Sequence, residues 1–76
     1  MIMPNKNINI EYSLLNCGAV ILKNLKEKDT ISSIWDKTRK NKAIVSFEKF
    51  ILTLDYLYII GLVKISDGML VRVNND

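Results

Sequence analysis

The chain has no histidine, which removes the commonest general base near neutral pH and the commonest metal ligand. Its single cysteine, Cys17, can form neither an internal disulfide nor a thiolate metal cluster. With three glycines in all, it has no glycine-rich segment of the kind that cradles phosphate. The longest uninterrupted apolar run, Tyr56 to Val63, is far short of the roughly 20 residues that cross a bilayer. No basic segment followed by an apolar core opens the chain, so a soluble, cytoplasmic protein without a membrane partner is expected. Glu48 and Asp55 fall on one helical face, yet no partner base accompanies them. The expectation is a protein that is not an enzyme, with no catalytic residues, cofactor or metal.

What remains is mostly aliphatic. Hydrophobic residues make up 49% of the 76 positions and aromatics only 8%, which predicts one compact domain with a core of Ile, Leu and Val. A domain this small has little interior, so part of the apolar content is expected at an interface. The net charge of +3 permits contact with nucleic acid without demanding it.

The longest periodic stretch spans Ser46 to Gly61. Ser46 is a candidate helix cap and Gly61 a candidate stop. Phe47, Phe50, Ile51, Leu54, Leu57 and Tyr58 recur at spacings of three and four and form one apolar face. Leu52, Tyr56 and Ile59 form a second apolar stripe where a surface helix normally carries polar residues. Thr53 counts among the outward positions, with Glu48, Lys49 and Asp55.

Residues 1–11 read as an arm, in which Pro4 and three asparagines interrupt any helix and Ile8 and Ile10 alternate as a short extended piece. A first helix is predicted over 13–26, capped near Ser13, with Gly18 allowing close approach of a neighbouring helix. Cys17 reads as a buried structural thiol. The segment Lys26 to Asp29 reads as a polar turn, and Asp29 or Thr30 caps a second helix over 30–41. In that helix Ile31, Ile34, Trp35 and Thr38 fall on one face, with Trp35 expected to join the first and third helices. The third helix covers 46–60.

From Gly61 on, the period changes to that of strands, predicting a hairpin over 62–73 around Asp67-Gly68. A two-residue turn sets Arg72 beside Val63 and mixes apolar and charged residues on one face. A three-residue turn pairs Ile65 with Met69 and separates Val63, Ile65, Met69, Val71 and Val73 from Lys64 and Arg72. The alternation favours the three-residue turn. Residues 74–76 read as a tail.

Three helices followed by a hairpin predict an α+β, mostly α fold of the winged helix-turn-helix kind, with the hairpin as the wing. A third helix that read DNA would present Arg, Lys, Asn, Gln or Ser at its front. Here Glu48 and Asp55 would repel phosphate, and Leu52 and Ile59 would gain nothing from it. The second helix ends in a basic cluster, Lys37, Arg39, Lys40 and Lys42, which has no interleaved aromatic to stack bases.

Met3-Pro4-x-Lys6, Ser13-Leu-Leu-x-x-Gly-Ala19, Ile34-Trp35 and the run Phe50 to Leu62 with its Asp-Gly hairpin together resemble small middle components of bacterial ABC-three component systems, the middle component 6 type. Position 7 departs from that pattern, with Asn7 where histidine is expected. The resemblance implies a non-catalytic accessory subunit, encoded with an SMC-like ABC ATPase and a third component in systems associated with antiphage defence. Three functions then compete. The first is an adaptor that docks on the ATPase or third component through Leu52, Tyr56, Ile59 and Val45. The second is a DNA-binding module whose Lys37, Arg39, Lys40, Lys42, Lys64 and Arg72 touch phosphates. The third is a homodimer that buries the stripe of the third helix against itself.

Overall fold

A computed structural model describes the backbone of residues 4–73 and the side chains of residues 12–73. It contains three helices, α1 (Pro4–Asn24), α2 (Ile31–Thr38) and α3 (Phe47–Ile59), and three strands, β1 (Lys28–Thr30), β2 (Val63–Ser66) and β3 (Met69–Arg72). The strands form one antiparallel sheet in the order β1-β3-β2. The fold is therefore α+β.

Helix α1 corrects the expected arm. It begins at Pro4, runs through residues 5–11 and ends at Asn24. Proline is compatible with a first helical turn, because its missing N–H would have no intrahelical partner there and its φ is preset for the helix. Ser13 thus lies inside the helix, where its hydroxyl meets the Lys49 ammonium of α3. The parts of the expected arm and tail at residues 1–3 and 74–76 lie outside the described residues.

The predicted polar turn is also partly a strand. Residues Lys28, Asp29 and Thr30 pair with Val71, Leu70 and Met69 of β3. Of the two cap candidates of α2, Thr30 is the cap and Asp29 braces it. The Thr30 hydroxyl accepts from the Ser33 backbone N–H at 3.1 Å, while the Asp29 carboxylate accepts from the Thr30 N–H at 2.8 Å, the Ser33 hydroxyl at 3.0 Å and Lys37 at 2.9 Å.

Those bonds hold the Asp29 carboxyl below the usual carboxylate range, the Lys37 hydrogen bond being the largest cause, with the Ser33 and Thr30 bonds adding to it. A depressed folded pKa means that the stabilisation is present above the unfolded value and disappears as pH falls through the folded one. Denaturant unfolding of Asp29→Asn is therefore expected to show lower stability than the parent at neutral pH. The two curves should converge in acid, and a gap independent of pH would contradict this role for the carboxylate.

Helix α3 has the ends that its sequence predicts. The Ser46 hydroxyl accepts from the Lys49 N–H at 3.1 Å. At the other end Gly61, with φ of 85°, donates to the Tyr58 carbonyl and Leu62 donates to that of Leu57. This pair of bonds is a Schellman stop, which needs a left-handed residue that glycine adopts without strain.

The hairpin turn is the two-residue one, which overturns the three-residue turn favoured by alternation. Ser66 pairs with Met69, Ile65 with Leu70, Lys64 with Val71 and Val63 with Arg72. Asp67 and Gly68 both have positive φ, 53° and 74°, as a type I′ turn requires. Arg72 therefore shares the inner face with buried Val63 and Leu70, and Lys64 lies on the other face. The mixed face is stable because the Arg72 guanidinium has partners: its Nε donates to the Leu25 carbonyl at 3.2 Å and its Nη2 to the Leu22 carbonyl. These carbonyls lie at and just beyond the C-terminal end of α1, where unpaired carbonyls and the negative end of the helix dipole attract a cation.

The core lies between α1, α3 and the sheet and includes Cys17, Ile21, Leu25, Ile34, Ile44, Phe50, Leu57 and Leu70. Two buried hydroxyls, Thr38 and Thr53, bond the carbonyls four residues back, Ile34 at 2.8 Å and Lys49 at 2.7 Å. Trp35 is half-buried and packs on α3, with its ring 5.0 Å from Phe47 and 5.2 Å from Phe50.

Candidate functional site

The buried face of α3 consists of Phe50, Thr53, Leu54 and Leu57. Thr53, expected to point outward, is fully buried, because α1 passes close to it at Gly18. A Cβ at Gly18 would stand 3.0 Å from Leu57 Cδ2 and 3.7 Å from Thr53 Cγ2. Contact with α1 thus draws the buried face toward Thr53. Phe47, Ile51 and Tyr58, assigned to the inner face by their spacing, are exposed in consequence.

Of the four expected docking residues, Leu52 is 60% exposed, Ile59 78% and Val45 73%. Leu52 and Ile59 are seven residues apart, nearly two helical turns, and so project from the same side of α3. Tyr56 is half-buried and packs against the core, so it contributes only an edge to that side. Leu52 also lines a shallow depression with Phe47, Glu48 and Ile51. The aliphatic part of the expected surface is therefore exposed, and α3 carries more exposed apolar side chains than the second stripe alone.

Val45 precedes α3 in an unusual conformation. Its φ is 66°, and the Ser46 N–H donates to the Ile44 carbonyl across it at 2.7 Å. This is a three-residue γ-turn with a β-branched residue at its left-handed centre, an arrangement that costs on the order of 1–3 kcal/mol. Ile44 is fully buried beside it and holds the turn in place. The result is an exposed valine in a strained position at the start of the helix. Nothing in the residue pattern signals that strain.

The six cations considered for phosphate contact do not form one surface. Lys37 is paired with Asp29 at 2.9 Å. Arg39 lies 3.9 Å from Asp36, with its guanidinium 5.8 Å from the Trp35 ring centroid. Arg72 is turned inward onto α1. Lys40, Lys42 and Lys64 are exposed and in no ion pair among the described residues. Lys64 and Arg72, expected to share a face, lie on opposite faces of the hairpin.

Cys17 is buried, and among the described residues no group of three or more His, Cys, Asp or Glu side chains is placed to hold a metal ion. No helix among them is long and apolar enough to cross a membrane. The family model of the ABC-three component (ABC-3C) system Middle Component 6 matches residues 3–74, almost the whole chain. The chain belongs to the Middle Component 6 family. Comparisons with curated proteins and with solved structures give no match. As a middle component, this MC6 protein is one member of a multi-component system, in keeping with an accessory subunit and with partners among the system's other components.

Proposed function

We propose that this MC6 chain is a non-catalytic adaptor of winged-helix type that docks on another component of its ABC-3C system, an SMC-like ABC ATPase or the third component. The observation that carries the reading is the pair Leu52 and Ile59, both well over half exposed on the outward side of α3. A DNA-reading helix needs polar and cationic side chains there. Aliphatic side chains of this kind are anchors for a protein partner once water is excluded around them. The winged-helix assignment is supported by the element order, in which β1 lies between α1 and α2 and pairs with the second strand of the C-terminal hairpin. The system is proposed to serve antiphage defence in the cytoplasm. Among the six cations considered for DNA, only Lys40, Lys42 and Lys64 are in no ion pair among the described residues and not turned inward.

Co-expression with the other components followed by co-purification tests the docking. Changing Leu52 and Ile59 together to lysine is expected to weaken the complex about a thousandfold, since each buried anchor is worth on the order of 2 kcal/mol and each 1.4 kcal/mol is about tenfold. The melting temperature of the isolated chain should stay unchanged. Val45→Gly supplies a second arm: relief of the left-handed strain should raise stability by about 1 kcal/mol after the entropic cost of glycine, while the complex weakens. Retention of the complex by the double lysine variant would refute docking through α3.

A further inference from the structure

In the strand order β1-β3-β2, strand β2 has a neighbour on one side only. The two-residue turn decides which of its backbone groups face that neighbour. Ser66 and Met69 close the turn as a hydrogen-bonded pair, and in an antiparallel ladder such pairs alternate with pairs whose groups point away from each other. Lys64 therefore bonds Val71, while the N–H and C=O of Val63 and Ile65 point to the free edge. Two flanking bonds fix the same phase. Val73 donates to the Leu62 carbonyl at 3.0 Å, and Arg72, opposite Val63, donates away from β2 to the Glu27 carbonyl at 2.9 Å. Among the described residues no backbone group bonds the four outward groups of Val63 and Ile65.

A groove of about 510 Å³ opens between β2 and α3. It is lined by Ile65 and also by Lys64, whose side chain the register sets on the opposite face of the hairpin, so the groove reaches the edge where the two faces meet. The other wall is one flank of α3, with Ile51, Asp55 and Tyr58 at spacings of four and three, and the floor includes the buried Leu54 and Leu70. Tyr58 is 60% exposed and Ile65 53%. From Ile51 to Tyr58 the helix rises about 10 Å. The four residues of β2 span about 13 Å. Wall and edge therefore match in length, that of one extended segment of about four residues.

We propose that the edge of β2 takes up a strand from another component of the ABC-3C system. A chain laid along β2 bonds the outward groups of Val63 and Ile65, and its alternate side chains fall on the two faces of the sheet. The side chain on the Ile65 face enters the groove against Ile51 and Tyr58, where an apolar residue fits. The one on the other face stands beside Lys64, where an acid fits. A second copy of β2 fits poorly. An antiparallel pairing that used all four outward groups would match Val63 with Ile65 and set Lys64 directly opposite Lys64 across the two-fold axis, with like charges opposed. A lysine on an edge strand is a device against such self-pairing. The proposal rests on the adaptor reading for the source of the strand, but uses a different flank of α3, since neither Leu52 nor Ile59 lines the groove.

Amide hydrogen exchange of the full chain, alone and in complex with the co-expressed components, tests the strand. The Val63 and Ile65 amides are expected to slow at least about tenfold in the complex, while those of Lys64 and Ser66, already paired with β3, change less. N-methylation of the Ile65 amide, introduced by chemical synthesis of the chain, keeps the side chain and removes one edge donor. It should weaken the complex about tenfold and leave the melting temperature unchanged, because that N–H takes no part in the hairpin. A complex in which Val63 and Ile65 exchange as fast as in the free chain overturns the proposal and leaves adaptor docking standing. An N-methylated chain that binds as tightly as the parent overturns it too. Failure of every component to bind would overturn both readings. Slow exchange of the two amides in the free chain, together with a doubled mass, would give the edge to a second copy and so refute a partner strand. If the Leu52→Lys, Ile59→Lys variant kept both the complex and the slowed amides, docking through that flank would be refuted while the strand at β2 was supported.

Discussion

Arg72→Met is expected to destabilise the fold by about 2–3 kcal/mol, because hydrogen bonds to a charged donor are worth roughly 1.5–3 kcal/mol and partial exposure reduces their sum. For a domain of this length that loss lowers the melting temperature by about 10–20 °C. Methionine keeps most of the stem of the side chain and so preserves packing against α1, while removing both guanidinium contacts. The Leu22 carbonyl retains the Leu25 N–H as a donor at 3.2 Å, so the heavier loss falls on Leu25. The backbone bond from the Arg72 N–H to the Glu27 carbonyl, 2.9 Å long, should persist and keep β3 beside the end of β1. Arg72→Lys should recover only part of the stability, since one ammonium cannot reproduce the guanidinium fork. Thermal melts of the three proteins provide the measurement. A methionine variant that melts within a few degrees of the parent would show that Arg72 does not hold the hairpin to α1.

The same arginine shows where the sequence was legible and where it was not. The stop and start of α3 could be read because Ser46 and Gly61 act through backbone groups only a few residues away. The hairpin was located by its Asp-Gly pair for the same reason. Its register is not legible in the alternation because the partners that make an inward arginine acceptable are 47 and 50 residues distant. No local alternation carries that information. Strand β1 was hidden on similar grounds, as Lys28-Asp29-Thr30 has no strand pattern and is ordered by pairing with β3. At the start of the chain, Pro4 with its asparagine neighbours predicts an interrupted helix, although the first turn of a helix accommodates proline.

The candidate surface divides in the same way. Leu52 and Ile59 were identifiable because they oppose the densest apolar spacing on α3, whatever packs on the other side. The exposure of Ile51 and Tyr58 depends on the rotation of α3 about its own axis, which neighbouring helices determine. Thr53 is buried at full depth because its hydroxyl is satisfied within the helix by the Lys49 carbonyl. A threonine read as outward on polarity alone can thus replace an aliphatic residue in the core.

The close contact at Gly18 supplies the second large effect. Gly18→Leu is expected to cost about 3 kcal/mol, because overpacking a well-filled contact costs roughly 1–3 kcal/mol, occasionally more, and leucine brings the rest of a side chain beyond a Cβ that is already tight. The Cβ alone would stand 3.0 Å from Leu57 Cδ2, and Leu57 is only 2% exposed, so it has little room to withdraw. Removing glycine from a helix interior returns about 1 kcal/mol of propensity, which the clash outweighs. Gly18→Ala separates the two terms. Its gain in propensity is opposed by one tight contact with the end of a side chain, so stability should change by less than about 1 kcal/mol. Chemical denaturation of both variants tests the ordering. If leucine were tolerated as well as alanine, α1 would not be pressed against α3 at this point. The buried position of Thr53, and with it the exposure of Ile51 and Tyr58 that forms the groove, would then need another cause.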